Sequence, residues 1–229
     1  MNRHCVEIAL CAIVVGTLGS VAGCSKSETV AGPDQIVGSG RLIAQTRTIG
    51  SFNGIRVTNF ASVIITQDTV QSLTIEADDN IMDRVSTSLI DGELVVGVTD
   101  GSYRNATVNV HATMANIRRL ESTGAADFST TGPIRTDSID CSITGAGTVT
   151  LNGSAAYESV EIVGAGTVHN GGLVAAACSV SISGTGNVEV DVLQELDALI
   201  AGTGTITYSG NPPIVRQTIT GVGTVRPGS

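Results

Sequence analysis

A seven-residue phrase recurs six times in the second half of the chain, and no other feature restricts its fold as much. It reads STGAADF at 122–128, ITGAGTV at 143–149, IVGAGTV at 162–168, ISGTGNV at 182–188, IAGTGTI at 200–206 and ITGVGTV at 219–225. Its first glycines, Gly124, Gly145, Gly164, Gly184, Gly202 and Gly221, are separated by 21, 19, 20, 18 and 19 residues. An alternating apolar–polar run precedes each phrase and another follows, as in Ser159-Val160-Glu161-Ile162 and Asn187-Val188-Glu189-Val190. Alternation of that kind belongs to a half-buried strand. A period near 19 is too short for a strand–helix–strand unit, which needs ~30 residues. It suits one coil of a parallel β-solenoid, whose sides hydrogen-bond to the coils above and below. The expected fold is therefore all-β, a right-handed parallel β-solenoid with 18–21 residues per coil.

A coil of this size cannot stand alone. Three or four buried aliphatic side chains at ~2 kcal/mol each contribute ~6–8 kcal/mol, less than the cost of ordering its backbone. Stacking supplies the rest. The second glycines, Gly147, Gly166, Gly186, Gly204 and Gly223, recur with the first, and only the opening phrase departs, with Ala126 in that place. A tight corner repeated in register needs either positive φ or a backbone with no Cβ to crowd the next coil. A phosphate-binding loop is excluded as the meaning of Gly-x-Gly, because no helical segment or Walker lysine follows. The core must be aliphatic, since the chain has three Phe, three Tyr and no Trp.

Residues 47–120 alternate without the phrase, in GIRVTNF (54–60), SVIIT (62–66), SLTIEA (72–77), ELVVGV (93–98) and ATVNVHA (106–112). They are expected to form either wider coils of the same solenoid or a small antiparallel cap over its edge, with a helical turn near 80–85. Residues 121–226 form the regular coils.

Ahead of all this, residues 1–23 have the parts of a secretion signal: Arg3, the apolar run Ile8–Leu18 and small residues up to Gly23. Val21-Ala22-Gly23-Cys24 resembles the lipobox of bacterial lipoproteins, which implies acylation (palmitate included) of Cys24 and cleavage before it. Acyl chains at ~0.8 kcal/mol per buried CH₂ hold a soluble domain to a membrane. Ser25, following the cysteine in place of Asp, implies the outer membrane in a two-membrane envelope. Residues 24–46 are expected to be the lipidated Cys and a flexible tether. Cys5 and Cys11 leave with the leader. Cys141 and Cys178 share faces with apolar neighbours and are expected to be buried free thiols.

The net charge of −9 and a single Lys, Lys26, argue against nucleic acid. No cofactor or metal site is expected. His111 and His169 stand outside any metal-ligand spacing. Arg118 or Arg119 beside Asp127 or Asp140 are the only residues placed for a proton-abstracting site, as in polysaccharide-cleaving β-helices, and solvated charge is the preferred reading of them. Ser122, Thr123, Thr144, Ser183 and Thr220 flank the corners. They could form a hydroxyl stripe for glycans or ordered water, and a structural role in the ladders is preferred.

Five further stretches carry a resemblance: Phe52-Asn53-Gly54-Ile55, Val63-Ile64-Ile65-Thr66-Gln67, Glu76-Ala77-Asp78-Asp79-Asn80, Asp91-Gly92-Glu93-Leu94 and Tyr208-Ser209-Gly210-Asn211-Pro212. With the serial Gly-x-Gly phrases, they make residues 47–226 resemble the autotransporter-adhesin-like head GIN domain family, a domain of unknown function found in many bacterial lipoproteins. The resemblance implies an envelope-associated β-solenoid. The function expected from tether plus rigid stack is non-enzymatic: a displayed adhesion or ligand-binding module for a glycan or envelope protein, tied to the membrane through Cys24. A structural, self-associating envelope protein is the alternative, and a polysaccharide-active enzyme ranks below both.

Overall fold

The computed structural model describes residues 35–228. The leader, Cys24 and residues 24–34 of the expected tether lie outside the described residues. The strands, in chain order, begin with β1 (Gln35–Val37), β2 (Leu42–Thr46), β3 (Gly54–Val57), β4 (Phe60–Gln67) and β5 (Ser72–Asp78). A 3₁₀ turn at Met82–Arg84 leads to β6 (Val85–Ile90), β7 (Glu93–Val98), β8 (Ser102–Arg104) and β9 (Val108–Met114). Then come β10 (Arg119–Ser122), β11 (Ala125–Thr130), β12 (Ile134–Ile143), β13 (Ala146–Ile162), β14 (Ala165–Ile182) and β15 (Thr185–Ile200). The last are β16 (Thr203–Ser209), β17 (Ile214–Ile219) and β18 (Val222–Pro227). The pairing is that of a parallel β-solenoid. Its first side, before each glycine corner, stacks in the order β7, β3, β10, β12, β13, β14, β15, β17, all parallel. Its second side, after the corner, stacks as β9, β4, β11, β13, β14, β15, β16, β18, again parallel. The third side is the variable return, where the register of β13, β14 and β15 shifts.

The stacking order differs from the chain order at the start. The coil containing β3 and β4 is the earliest in sequence, yet it lies between the later coil of β7 and β9 and the still later coil of β10 and β11. Beyond β7 and β9 the strands turn antiparallel: β6 on β7, β5 on β9 and β2 on β5. Residues 47–120 thus combine what stood as alternatives: coils of the solenoid and an antiparallel cap. One expectation is corrected. Residues 35–46, read as the end of a tether, contribute β1 and β2, and Asp78 ties them down. Its buried carboxylate accepts the Gly40 N–H at 2.7 Å and the Thr107 N–H at 2.7 Å. A polar, glycine-punctuated segment gave no period because the partners of β1 and β2 lie 67 and 28 to 36 residues away.

The register sets the core. One inward row on the first side runs Val96, Val57, Ser122, Ile143, Ile162, Ile182, Ile200, Ile219. On the second side Val110, Val63, Phe128, Val149, Val168, Val188, Ile206 and Val225 face them. A third row is mixed: Ile139, Glu158, Cys178, Leu196. Glu158 is fully buried there. Its Oε1 accepts from Asn170 Nδ2 at 2.6 Å and the Cys178 thiol lies at 3.7 Å from Oε2, while Asn170 Oδ1 accepts the Leu151 N–H at 2.9 Å. Burial raises the Glu158 carboxyl to about 7 against the opposing hydrogen bonds from Asn170 and Cys178. Cys141 and Cys178 are both free and buried, and burial, aided by the Glu158 charge, pushes both thiols up and away from the reactive thiolate.

The glycine column has one cause. At Gly145, Gly164, Gly184, Gly202 and Gly221 a Cβ would be driven into the carbonyl oxygen of the preceding coil's first glycine, and at Gly124 into that of Asn59. Those same carbonyls accept inter-coil bonds, such as Ala165 N–H to Gly145 O at 2.9 Å. Close approach, rather than positive φ, fixes these positions. At the second glycines Gly186, Gly204 and Gly223 a Cβ would likewise enter the carbonyl oxygen of Gly166, Gly186 and Gly204, and at Gly166 the nearest atom is the Ile143 δ-methyl.

Candidate functional site

The three sides offer different chemistry. On the first side the outward rows form a ladder of ion pairs. Arg56 bridges Glu93 (2.5 Å) and Glu121 (3.0 Å), and Arg119 reaches Glu93 (3.2 Å), Glu121 (3.3 Å) and Asp140 (2.7 Å). Arg119 and Asp140 do meet, as sequence reasoning allowed. Partial burial disfavours the guanidinium charge, but Asp140, Glu121 and Glu93 outweigh it and hold Arg119 above its ordinary value. It therefore cannot serve as a proton-abstracting base. Asp127 lies on the second side, outward on β11, and Arg118 is exposed at the first side's edge, so the four residues form no common centre.

The corner hydroxyls do not form the stripe weighed above. Their column runs Thr123, Thr144, Val163, Ser183, Ala201, Thr220, so two apolar residues interrupt it. Ser122 points inward and is fully buried, with its Oγ donating to Ala146 O at 2.9 Å. Thr123 and Thr144 donate back to the carbonyls of Val57 and Ser122, each at 3.2 Å. These hydroxyls pin coils together. A more regular polar row lies on the second side: Thr148, Thr167, Asn187, Thr205, Thr224. Beside it the exposed His169 contacts Glu189 at 3.2 Å, and His111 is exposed on β9. Among the described residues no three His, Cys, Asp or Glu side chains gather as metal ligands.

The third side is concave. One hollow of about 360 Å³ is lined by Ser51, Asn53, Gln71 and Asn116 among others. A second of about 440 Å³ is lined by Asn116, Arg135, Asp137 and Ser154 among others. Asn116 lines both, so the two hollows adjoin on this side, and together they are called the groove below. Two buttressing glutamines shape it. Gln67 donates to Ala115 O at 2.9 Å and Arg135 O at 2.8 Å and accepts the Arg135 N–H at 2.7 Å. Gln71 donates to Gly50 O at 2.9 Å and accepts the Phe52 N–H at 3.2 Å. Asn116, Arg135 and Asp137 are exposed and engage no described side chain. The groove thus presents amides, hydroxyls and one charge of each sign on a braced backbone. It carries hydrogen-bonding chemistry, with no nucleophile beside a base. Sequence reasoning missed it, because its residues sit in the returns that lack the repeat; Gln67 and Asn53 stood within the resembling stretches without a role.

Comparison with known proteins agrees with this architecture. A crystal structure of a protein from Bacteroides fragilis named a "putative adhesin" superposes with a TM-score of 0.69 at 24% identity, covering 84% of this chain and all of that one. A second "putative adhesin", from Parabacteroides merdae, gives 0.49 at 20% identity over 86% of this chain and all of its own. A "putative lipid binding protein" from Parabacteroides distasonis gives 0.47 at 19% identity over 85% and 100%. No curated protein matches the chain. The family described as "Putative auto-transporter adhesin, head GIN domain" matches residues 51–212, from the rim of the third-side groove through all but the last coil. By fold, by its glycine corners and by that match, the chain belongs to the head GIN domain family.

Proposed function

We propose that the protein is a non-enzymatic cell-envelope module, lipid-anchored at Cys24, that binds an extended polar ligand such as a glycan along its third-side groove. The groove carries this reading: its two adjoining hollows are lined by the unengaged side chains of Asn116, Arg135 and Asp137, beside backbone that Gln67 and Gln71 brace. Polar sites of this kind act by a few well-placed hydrogen bonds, and repeated hydroxyls of a sugar chain suit a row of amides better than isolated small molecules do. The family description and the "putative adhesin" name of the Bacteroides fragilis relative support adhesion as the setting. Cys24 supports the envelope location and, with Ser25 after it, the outer membrane.

The test is a glycan and envelope-protein binding screen with the mature chain, followed by Asn116→Ala and Arg135→Ala on any ligand found. Both side chains are exposed, so the variants should unfold as the parent does while affinity falls roughly tenfold for each, the ~1–1.5 kcal/mol of a lost hydrogen bond. A ligand whose affinity ignores both changes would move the site off the groove. Mass spectrometry of the cell-derived protein should show acylated Cys24 at the N-terminus; a free thiol on an intact leader would remove the anchor from this reading.

A further inference from the structure

The two ends of the solenoid are built differently. The end holding β7 and β9 is closed by β2, β5 and β6 running antiparallel. At the other end β17 pairs only with β15, and β18 only with β16. Each therefore leaves one backbone edge of six residues without a strand partner among the described residues. The inward rows stop there as well. Leu196, Ile200 and Ile206 are fully buried, yet Val215, above Leu196, is 36% exposed and Ile219, above Ile200, is 42% exposed. Ile214 and Val222 add further apolar surface at 43% and 72%. Open strand edges with apolar side chains in register are a template for another strand.

Charge narrows what can cover this end. The chain carries −9, but residues 198–229 contain no Asp or Glu and two arginines, Arg216 and Arg226. Arg216 folds back onto Glu195 and Asp197 of the coil beneath. Two copies can therefore meet end to end without opposing their acidic residues. Shape points the same way. An occupant must offer two strands meeting at the same corner, with aliphatic side chains at the same offsets, and a second copy's open end does so by identity. The strands flank the Gly221 corner evenly, six residues on either side. A two-fold axis through that corner lays β17 antiparallel on the second copy's β18 and the reverse. Pro213 before β17 and Pro227 closing β18 carry no N–H and bound the pairing on both flanks. Because the contact uses the same patch twice, it closes as a dimer instead of growing into a fibre.

We propose that the open C-terminal end of the solenoid docks on the same end of a second copy of this chain, forming a closed two-fold dimer. This is independent of the groove and of what the groove binds.

The test uses the full chain, purified in detergent and studied by sedimentation with the detergent density-matched, alongside two variants that each add one surface cysteine. A monomer–dimer equilibrium is expected. Thr220→Cys, at the corner on the axis, should give a disulfide-linked dimer on mild oxidation, and Ser39→Cys, at the capped end, should not. Ile219→Lys should weaken the dimer at least 100-fold, because its partial exposure lets the ammonium reach solvent in the monomer but not in the paired end. Its thermal unfolding should match the parent's, and the Thr220→Cys probe, made in the otherwise native chain, reads the contact without relying on that variant. A monomer at every concentration would overturn the proposal. So would species that lengthen with concentration (head-to-tail stacking on the cap), cross-linking through Ser39→Cys, or a dimer indifferent to Ile219→Lys.

Discussion

At the scale of single residues, position in the coil outweighs residue type. Glu158 sits six residues before Gly164, the offset that places Ile139, Cys178 and Leu196 in the core relative to Gly145, Gly184 and Gly202. Aligning the phrases by their glycines would have flagged a carboxyl facing inward, but a lone Glu in an alternating strand reads as solvated until the register is drawn. Its titration has a defined sign. The folded-state value of about 7 exceeds the ordinary 4.5, so the folded chain holds the proton more tightly than the unfolded one. Stability from this group is complete below pH ~4.5, falls as the pH rises toward about 7, and is level above that. The loss amounts to about 3 kcal/mol. Glu158→Gln keeps the acceptor for Asn170 and should remove this slope, so that urea midpoints of variant and parent agree near pH 4.5 and separate in the variant's favour by pH 8. Gly164 and Gly132 make a second pair. A Cβ at Gly164 enters Gly145 O, while one at Gly132 meets nothing within 4 Å. Gly164→Ala should cost about 3 kcal/mol or more and Gly132→Ala within ~0.5 kcal/mol, both measured by denaturant unfolding. The sequence left open whether the corners needed positive φ or close approach, since both select glycine; only the stacked carbonyls decide it.

At the scale of elements, the coils were legible and their pairing partners were not. Each regular coil announces itself by a local phrase, because every coil meets the same neighbour in the same way. The cap strands meet partners once only. Strand β2 pairs across some thirty residues with β5, and nothing in Leu42–Thr46 encodes whether that pairing is parallel or antiparallel. Asp78 is the residue that fastens this layer, through the amides of Gly40 and Thr107. Asp78→Ala should leave two partly exposed backbone donors without their partner and cost about 1–3 kcal/mol. Hydrogen exchange should report the loss as faster exchange at Gly40 and across β2, with the coils after β12 unchanged; uniform acceleration throughout would mean that cap and stack unfold as one unit. The groove was illegible for a related reason. Its lining comes from the returns, where insertions vary and no period survives.

At the scale of the whole molecule, a stack of near-identical layers should tolerate loss from one end and not from the other. Ending the chain after Ser209 removes β17 and β18 and exposes only β15 and β16, while every earlier coil keeps its neighbours. Circular dichroism should still show a cooperative β protein with a lower midpoint. Deleting residues 54–67 should abolish folding, because the coils of β7–β9 and β10–β11 would lose the layer that joins them. That interleaved layer also has a consequence in time. A solenoid whose coils stack in chain order can grow as each one emerges from a translocation pore. Here the earliest coil has no first-side partner until β7 ends at Val98 and no second-side partner until β9 ends at Met114, so β3 and β4 must wait for strands about forty residues later. The later coils can add one at a time onto a finished surface. The slow step of folding is thus expected to be the assembly of residues 42–114, and a substitution there should change the folding rate more than one in β17 or β18.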